Sequence, residues 1–281
     1  MRWREGCART AGGAERKSLD SIGPLRHPAL MATPEIPPLY RDSDFNGPLS
    51  DAHAARLIRT LGPLEGRRIV DVGCGWAEFL LRTLESEPTA TGFGIDRKED
   101  YVRHGRELAA ARGLDDRVEL VVGDVGEWAG TEADVVVNNG ASHVWGGDPV
   151  THTGNALAAA SDLLAPGGRL LFGEGFWLRE PTPEELGVMQ DIPLAQYGSV
   201  PDLVDLALSH GFRLRALSQA TLEEWDDFES RHAQGWEDWL LENPDSPDAE
   251  EVRARADRHR EFRVRGTRET LGFAYLTLIR V

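Results

Sequence analysis

The chain has 281 residues and carries 31 Lys and Arg against 47 Asp and Glu, a formal net charge of −16. That much negative charge repels a polyphosphate backbone and argues against a nucleic-acid partner. Two cysteines far apart, Cys7 and Cys74, exclude a disulfide framework or a cysteine-built zinc site and suit a reducing cytoplasm, and no apolar run is long enough to span a bilayer, so no membrane association is expected.

Met1 to Leu30 differs from everything after it. It holds Arg2, Arg4, Arg9, Arg16, Lys17 and Arg26 among Gly, Ala and Ser, with no amphipathic period and no apolar h-region, so it is not a secretory signal. Glu5, Glu15 and Asp20 argue against a transit peptide. Residues 1–34 are expected to form a disordered extension, with Met31 a candidate for the true start, and residues 35–281 the folded domain. Gly47-Pro48 then marks a turn, Ser50 can cap a helix, and Ala54, Leu57, Ile58 and Leu61 recur at helical spacing before Gly62-Pro63 stops it.

Arg68 to Val72 reads as a short strand whose β-branched residues suit burial on both faces. Gly73 and Gly75 follow, where the backbone can turn tightly and approach a ligand that a Cβ would exclude. Phe79, Leu80, Leu81 and Leu84 then carry helical spacing, so the loop opens a helix whose first N–H groups are free to meet a ligand. Thr91 to Asp96 is a second strand ending in an acid. A helix from about Lys98 to Arg112 stops at Gly113, and Val118 to Val122 is a third strand closed by Gly123-Asp124. Asp134 to Asn138 is a fourth strand, continuing into Asn139-Gly140. A helix follows through Ala156, Leu157, Ala160, Leu163 and Leu164, then a turn at Pro166-Gly167-Gly168 and a fifth strand from Arg169 to Glu174. Strands alternating with helices at this spacing predict an α/β fold with a doubly wound, mostly parallel sheet, and ligands in such sheets sit beyond the carboxyl ends of the strands.

The later part departs from strict alternation. Residues 176–198 form a Pro- and acid-rich insertion, and Ser199 caps a helix that stops at Gly211. Phe212 to Leu217 is a sixth strand. A second insertion, about 220–268, opens with a Thr221/Glu224 capping box on a helix bearing Trp225, Phe228, His232, Trp236 and Trp239. A charged helix follows through Arg253, Arg255, Arg258, Arg260 and Arg263, and Leu271 to Ile279 is a seventh strand.

A dinucleotide fingerprint wants a small residue at position 78, which is Glu78 here. That disfavours the rival reading of a nicotinamide-dependent oxidoreductase. From Asp71 to Ala77 the loop reads Asp-x-Gly-x-Gly-x-Ala, which resembles the S-adenosylmethionine loop of class I methyltransferases, with Ala77 where that family commonly has a third glycine. Asp96 after the second strand, Gly123-Asp124-Val125 after the third, and Leu164 to Leu170 into the fifth resemble the family's further motifs in order. Asn46 to Ser50, Gly173 to Trp177 and Thr270 to Tyr275 resemble segments of uncharacterised bacterial members. The resemblance covers about Ser50 to Val281 and implies a seven-stranded sheet whose last strand runs antiparallel between the fifth and sixth. It implies S-adenosylmethionine as cofactor, held by Asp71, Gly73, Cys74, Gly75, Asp96, Asp124, Val125 and Asn138. In it Asp96 meets the ribose hydroxyls, Asp124 the adenine amino group, the Val125 N–H a ring nitrogen, and Asp71 the ammonium. Phe45 and Tyr40 stand where N-terminal segments close over the cofactor in related enzymes.

The expected reaction is methyl transfer to a small-molecule acceptor, at nitrogen or oxygen; the other reading kept open is a non-catalytic S-adenosylmethionine-binding protein. His143 is the candidate base or orienting group, its ordinary pKa lying near neutrality, and Glu174 a second candidate; a structural role stands beside each. Asn138-Asn139 differs from the acidic-Pro-Pro-aromatic motif of amino-group methylases. No metal is expected, because His143, Asp148 and His152 lack regular ligand spacing. The aromatic helix is either core or the roof of an acceptor pocket. The arginine helix is either a solvated face or a clasp for an anionic acceptor.

Overall fold

The computed structural model describes residues 36, 38–189 and 192–281; the expected extension 1–34, with Met31, lies outside them. Seven strands form one sheet in the order β3-β2-β1-β4-β5-β7-β6. They are β1 Arg68–Val72, β2 Thr91–Asp96, β3 Val118–Val122, β4 Ala133–Asn139, β5 Leu164–Trp177, β6 Phe212–Gln219 and β7 Leu271–Arg280. β1 to β5 pair in parallel, whereas β7 is antiparallel to both β5 and β6.

The helices are α1 Asp51–Thr60, α2 Glu78–Ser86, α3 Glu99–Ala111, α4 His152–Leu163, α5 Pro183–Val188, α6 Val200–Ser209, α7 Leu222–Glu242 and α8 Ala249–Glu261. Strand alternation divides the core between the two faces of the sheet. Ile69, Val135, Val137 and Leu171 face α1, α2 and α3, whereas Val70, Val136, Leu170 and Phe172 face α4 and α6. Each large apolar side chain so buried contributes roughly 1.5–3 kcal/mol, and residues buried on both faces of β1 explain its unbroken β-branched run. The predicted caps are present: the Ser50 hydroxyl accepts from the His53 N–H, and Ser199/Asp202 and Thr221/Glu224 close capping boxes.

Two differences from the sequence reading matter for function. The Pro166-Gly167-Gly168 turn lies inside β5, as a bulge between the Ala133↔Leu164 and Val135↔Arg169 pairs. At its other end β5 runs past Glu174, so Phe176 and Trp177 belong to the strand and not to the insertion. β4 stops pairing at Asn139↔Gly173, but β5 and β7 continue together to Trp177↔Leu271. This projecting two-stranded ribbon stands above the carboxyl ends of the parallel strands and packs against Leu186 of α5 and Trp225 of α7.

Candidate active site

The loop after β1 is built from three left-handed residues. Gly73, Gly75 and Ala77 have φ of 67°, 58° and 61°, and the N–H groups of Gly73 and Cys74 donate to the Ile95 carbonyl at 2.9 and 3.1 Å. A Cβ at Gly73 would lie 2.5 Å from the Ala141 Cβ, so only glycine fits both the backbone and the space. Ala77 takes the same conformation at some strain and is the N-cap of α2.

Over this loop lies a cavity of about 520 Å³, within the range of small-molecule and cofactor sites. Asp71, Gly73, Cys74, Gly75, Asp96, Asp124 and Val125 all line it; Asn138 does not. Asn138 is fully buried, and its neighbour Asn139 lines the cavity instead. The expectation for Asn138 is therefore corrected: successive strand side chains point to opposite faces, and the one exposed to the cavity is Asn139. Both polar atoms of the Asn138 amide lack a partner, as does Oδ1 of Asn139.

The acids differ in their surroundings. Asp71 is 4% exposed; burial, and after it the charge of Asp96, push its carboxyl well above the ordinary range. Asp96 accepts from the N–H of Gly75 and of Lys98, both at 2.9 Å, which fixes the carboxylate against the loop. One oxygen of Asp124 accepts from the Gly126 N–H at 2.8 Å. Burial, with Asp71 and Asp96 beside it, pushes the Cys74 thiol well up, so it stays protonated and unreactive.

His143 lies on a 3-10 turn, Ser142–Trp145, and its exposed side chain lines the cavity. Partial burial, then the charges of Arg97 and His152, lower its pKa and outweigh Glu174 and Asp96, so the imidazole is neutral at neutral pH. Glu174 does not line the cavity. It is 6% exposed and sits behind the turn, accepting from the Ser142 and Thr153 hydroxyls and from the Gly175 N–H at 2.8 Å. Burial raises its pKa despite these bonds. Glu174 is thus removed from contact with an acceptor in the cavity, because the ribbon turns its side chain toward α4. Among the described residues no group of three metal-ligating side chains converges.

Phe45 lines the cavity as expected, but Tyr40 does not: its ring stacks on His104 at 4.2 Å and meets Trp76 and Tyr101 edge-on. Trp76, Lys98, Tyr101 and Asn139 also line the cavity and were not singled out in the sequence. The Trp76 Nε1–H donates to the Asp44 carbonyl at 2.6 Å, tying the N-terminal segment across the mouth. An aromatic directly after Gly75 is the one signal that could have pointed to it.

A methyltransferase-domain family profile matches residues 64–193, the span that holds the glycine loop, Asp96, Asp124 and His143. This chain is an S-adenosylmethionine-dependent methyltransferase with the class I fold. The methyltransferase is similar to the uncharacterised protein YjhP of Escherichia coli, at 29% identity over 87% of this chain and 99% of the relative. A solved S-adenosylmethionine-dependent methyltransferase from Geobacter sulfurreducens, in complex with S-adenosylhomocysteine, superposes with a TM-score of 0.77. It is 25% identical and covers 88% of this chain and 99% of its own. The ubiquinone/menaquinone biosynthesis C-methyltransferase UbiE of Dinoroseobacter shibae is 30% identical over 51% of this chain and 54% of its own length. The nicotinamide reading falls with these matches, and S-adenosylmethionine is the cofactor of this methyltransferase.

Proposed function

We propose that the enzyme methylates a small-molecule acceptor at nitrogen or oxygen, with His143 taking the proton that the acceptor loses. The observation that carries the reading is the neutral, exposed imidazole of His143 on the wall of the cofactor-sized cavity, beside Asn139 and Gly140 at the carboxyl end of β4. The net charge of −16 supports a small acceptor over a nucleic acid.

The pocket fits the cofactor on its own chemistry. Asp71, buried with no hydrogen bond from a described residue, is suited to an ammonium group, which would restore its charge. Asp96 keeps lone pairs free for two adjacent ribose hydroxyls while Gly75 and Lys98 hold it still. The free oxygen of Asp124 and the Val125 N–H suit an adenine edge. S-adenosylmethionine brings an electrophilic methyl group on a sulfonium centre, and the chain's own residues supply the rest. Asn139 Oδ1 can accept a hydrogen bond from an acceptor N–H or O–H and aim it. His143 takes the proton, and Trp76 with the strap over the mouth excludes water. Glu174, through Ser142, holds the turn that bears His143 and acts as a positioning residue.

The test is a metabolite-extract screen with methyl-labelled cofactor, with labelled product identified by mass spectrometry. A labelled small molecule that appears with the wild type and not with His143→Ala supports the reading. Cofactor binding without any labelled product across the extract would leave a non-catalytic binding protein as the better account.

A further inference from the structure

Arg263 stands apart from the other arginines of its segment. Arg253, Arg258 and Arg260 are exposed on α8, where Arg260 pairs with Asp257 and Arg255 with Glu251. α8 then passes into a π-helical turn, Phe262–Thr267, a device often found at functional sites. There Arg263 turns inward and is 5% exposed. Its Nη2 donates to Asp226 at 3.1 Å, and its guanidinium carbon lies 5.2 Å above the Trp225 ring. Its Nε and Nη1 have no hydrogen-bond partner among the described residues, and neither has Trp225 Nε1. Asp226 is moreover shared, because Arg268 donates to both of its oxygens at 3.1 and 2.7 Å; Glu269, the other acid beside Arg268, is exposed.

Unpaired buried donors are costly, above all on a charged group. Two cations sharing one carboxylate leave the cluster one negative charge short. The surrounding wall is apolar, made by Trp177, Met189, Leu271, Tyr197 and Phe262 from both insertions and the projecting ribbon. A chain of contacts joins this place to the cofactor cavity: Trp225 meets the Phe273 ring at 6.3 Å, and a Cβ on Gly140, which lines the cavity, would lie 3.4 Å from that ring. At the cavity end stands Asn139, whose Oδ1 is buried beside Gly173 without a partner.

We infer that Arg263 and Trp225 form an anion subsite, and that the methyl acceptor is a monocarboxylate. Its carboxylate is held by Arg263 and the Trp225 indole N–H, its body lies along Phe273, and its nucleophilic N–H or O–H points to Asn139. This rests on the small-molecule reading above and names the class of acceptor. One net positive charge matches a carboxylate better than a phosphate monoester.

The test starts from the metabolite extract, fractionated on an anion exchanger at neutral pH before assay with methyl-labelled cofactor. Acceptor activity is expected to survive phosphatase and to disappear when carboxylates are capped with methylamine and carbodiimide. Loss on phosphatase treatment or survival of capping overturns the carboxylate assignment. Absence of labelled product from every fraction, with S-adenosylhomocysteine still binding in calorimetry, overturns the small-molecule reading itself and the inference with it. With the active fraction as substrate, Arg263→Met is expected to raise KM by about 10- to 100-fold and leave S-adenosylhomocysteine affinity unchanged. Trp225→Phe keeps the ring and removes one donor, and is expected to raise KM by about fivefold. A KM unmoved in Trp225→Phe, with melting temperature and cofactor affinity intact, overturns the subsite even if Arg263→Met fails to fold.

Discussion

The Glu224 carboxylate, in the first turn of α7, lies 3.0 Å from Nδ1 of His53 on α1. An ionised carboxylate only accepts, so Nδ1 carries the proton, and Nε2 of the same ring lies 2.8 Å from the Ser218 hydroxyl. Glu224 also accepts from the Ser50 N–H and hydroxyl and from the Thr221 N–H. One side chain thus closes the capping box of α7 and ties the inserted helix to the N-terminus of α1, across most of the chain.

Glu224→Ala is expected to destabilise the fold by about 2–4 kcal/mol, from the lost caps and the charged hydrogen bonds. Burial raises the Glu224 pKa, but the bonds from Ser50 and Thr221 and the neighbouring His53 outweigh it and leave the carboxyl below its ordinary value. For a depressed acid the stabilisation is present above the unfolded value of about 4.3 and is lost as pH falls through the lower folded value. Urea melts of wild type and Glu224→Gln should therefore differ at pH 7 and converge below about pH 4. A constant difference across that window would rule the linkage out.

Asp71 has the opposite sign. Its raised pKa means that ionisation in the cofactor-free fold is penalised, so stability from this group is lost as pH rises above the unfolded value of about 3.9. Asp71→Asn should raise the melting temperature of the free protein at pH 7 and remove that dependence. The same change should weaken S-adenosylhomocysteine binding by about 10-fold or more in calorimetry. Asp96→Ala, by contrast, is expected to weaken binding by about 10- to 100-fold through two lost hydroxyl contacts, with no gain in stability.

His143→Ala is expected to lower kcat by about 10²- to 10⁴-fold while cofactor affinity stays near wild type. Because burial, Arg97 and His152 lower the pKa of His143, the wild-type kcat/KM should be level at neutral pH and fall only below about 6.5, as the base protonates. An unchanged kcat in the variant would leave alignment by Asn139 as the whole account.

Asn138→Leu replaces a buried amide without partners by an apolar side chain of similar volume. The unfolding free energy should rise by about 1–2 kcal/mol, with cofactor affinity unchanged. A tenfold loss of S-adenosylhomocysteine affinity would restore Asn138 to the cofactor site.

Much of the parallel half of the sheet was legible because its signals are local. The β-branched run of Arg68 to Val72 marks a doubly buried strand, and the glycines after it mark the turn. Ser50, Ser199 and Thr221 announce helix starts through bonds made within a few residues. The acids Asp71, Asp96 and Asp124 were legible for the same reason, since each stands at the end of a strand or in the turn that follows one, where the sheet itself brings them to the cavity.

The acceptor side was decided only in three dimensions. Whether Asn138 or Asn139 meets the cavity depends on the rotation of β4 against its neighbours, which adjacent identical residues do not reveal. Glu174 is turned away because β5 continues four residues beyond its last pair with β4, and that continuation is held by β7, far along the chain. Tyr40 finds His104 instead of the cavity, and Arg263 leaves a run of exposed arginines by a single π-helical turn. Strand runs, turns and caps depend on neighbours in sequence, so the residues alone determined the fold class, and the resemblance of their motifs the cofactor. Burial and direction depend on partners brought together by folding, so only the tertiary structure decided which side chains face the cavity.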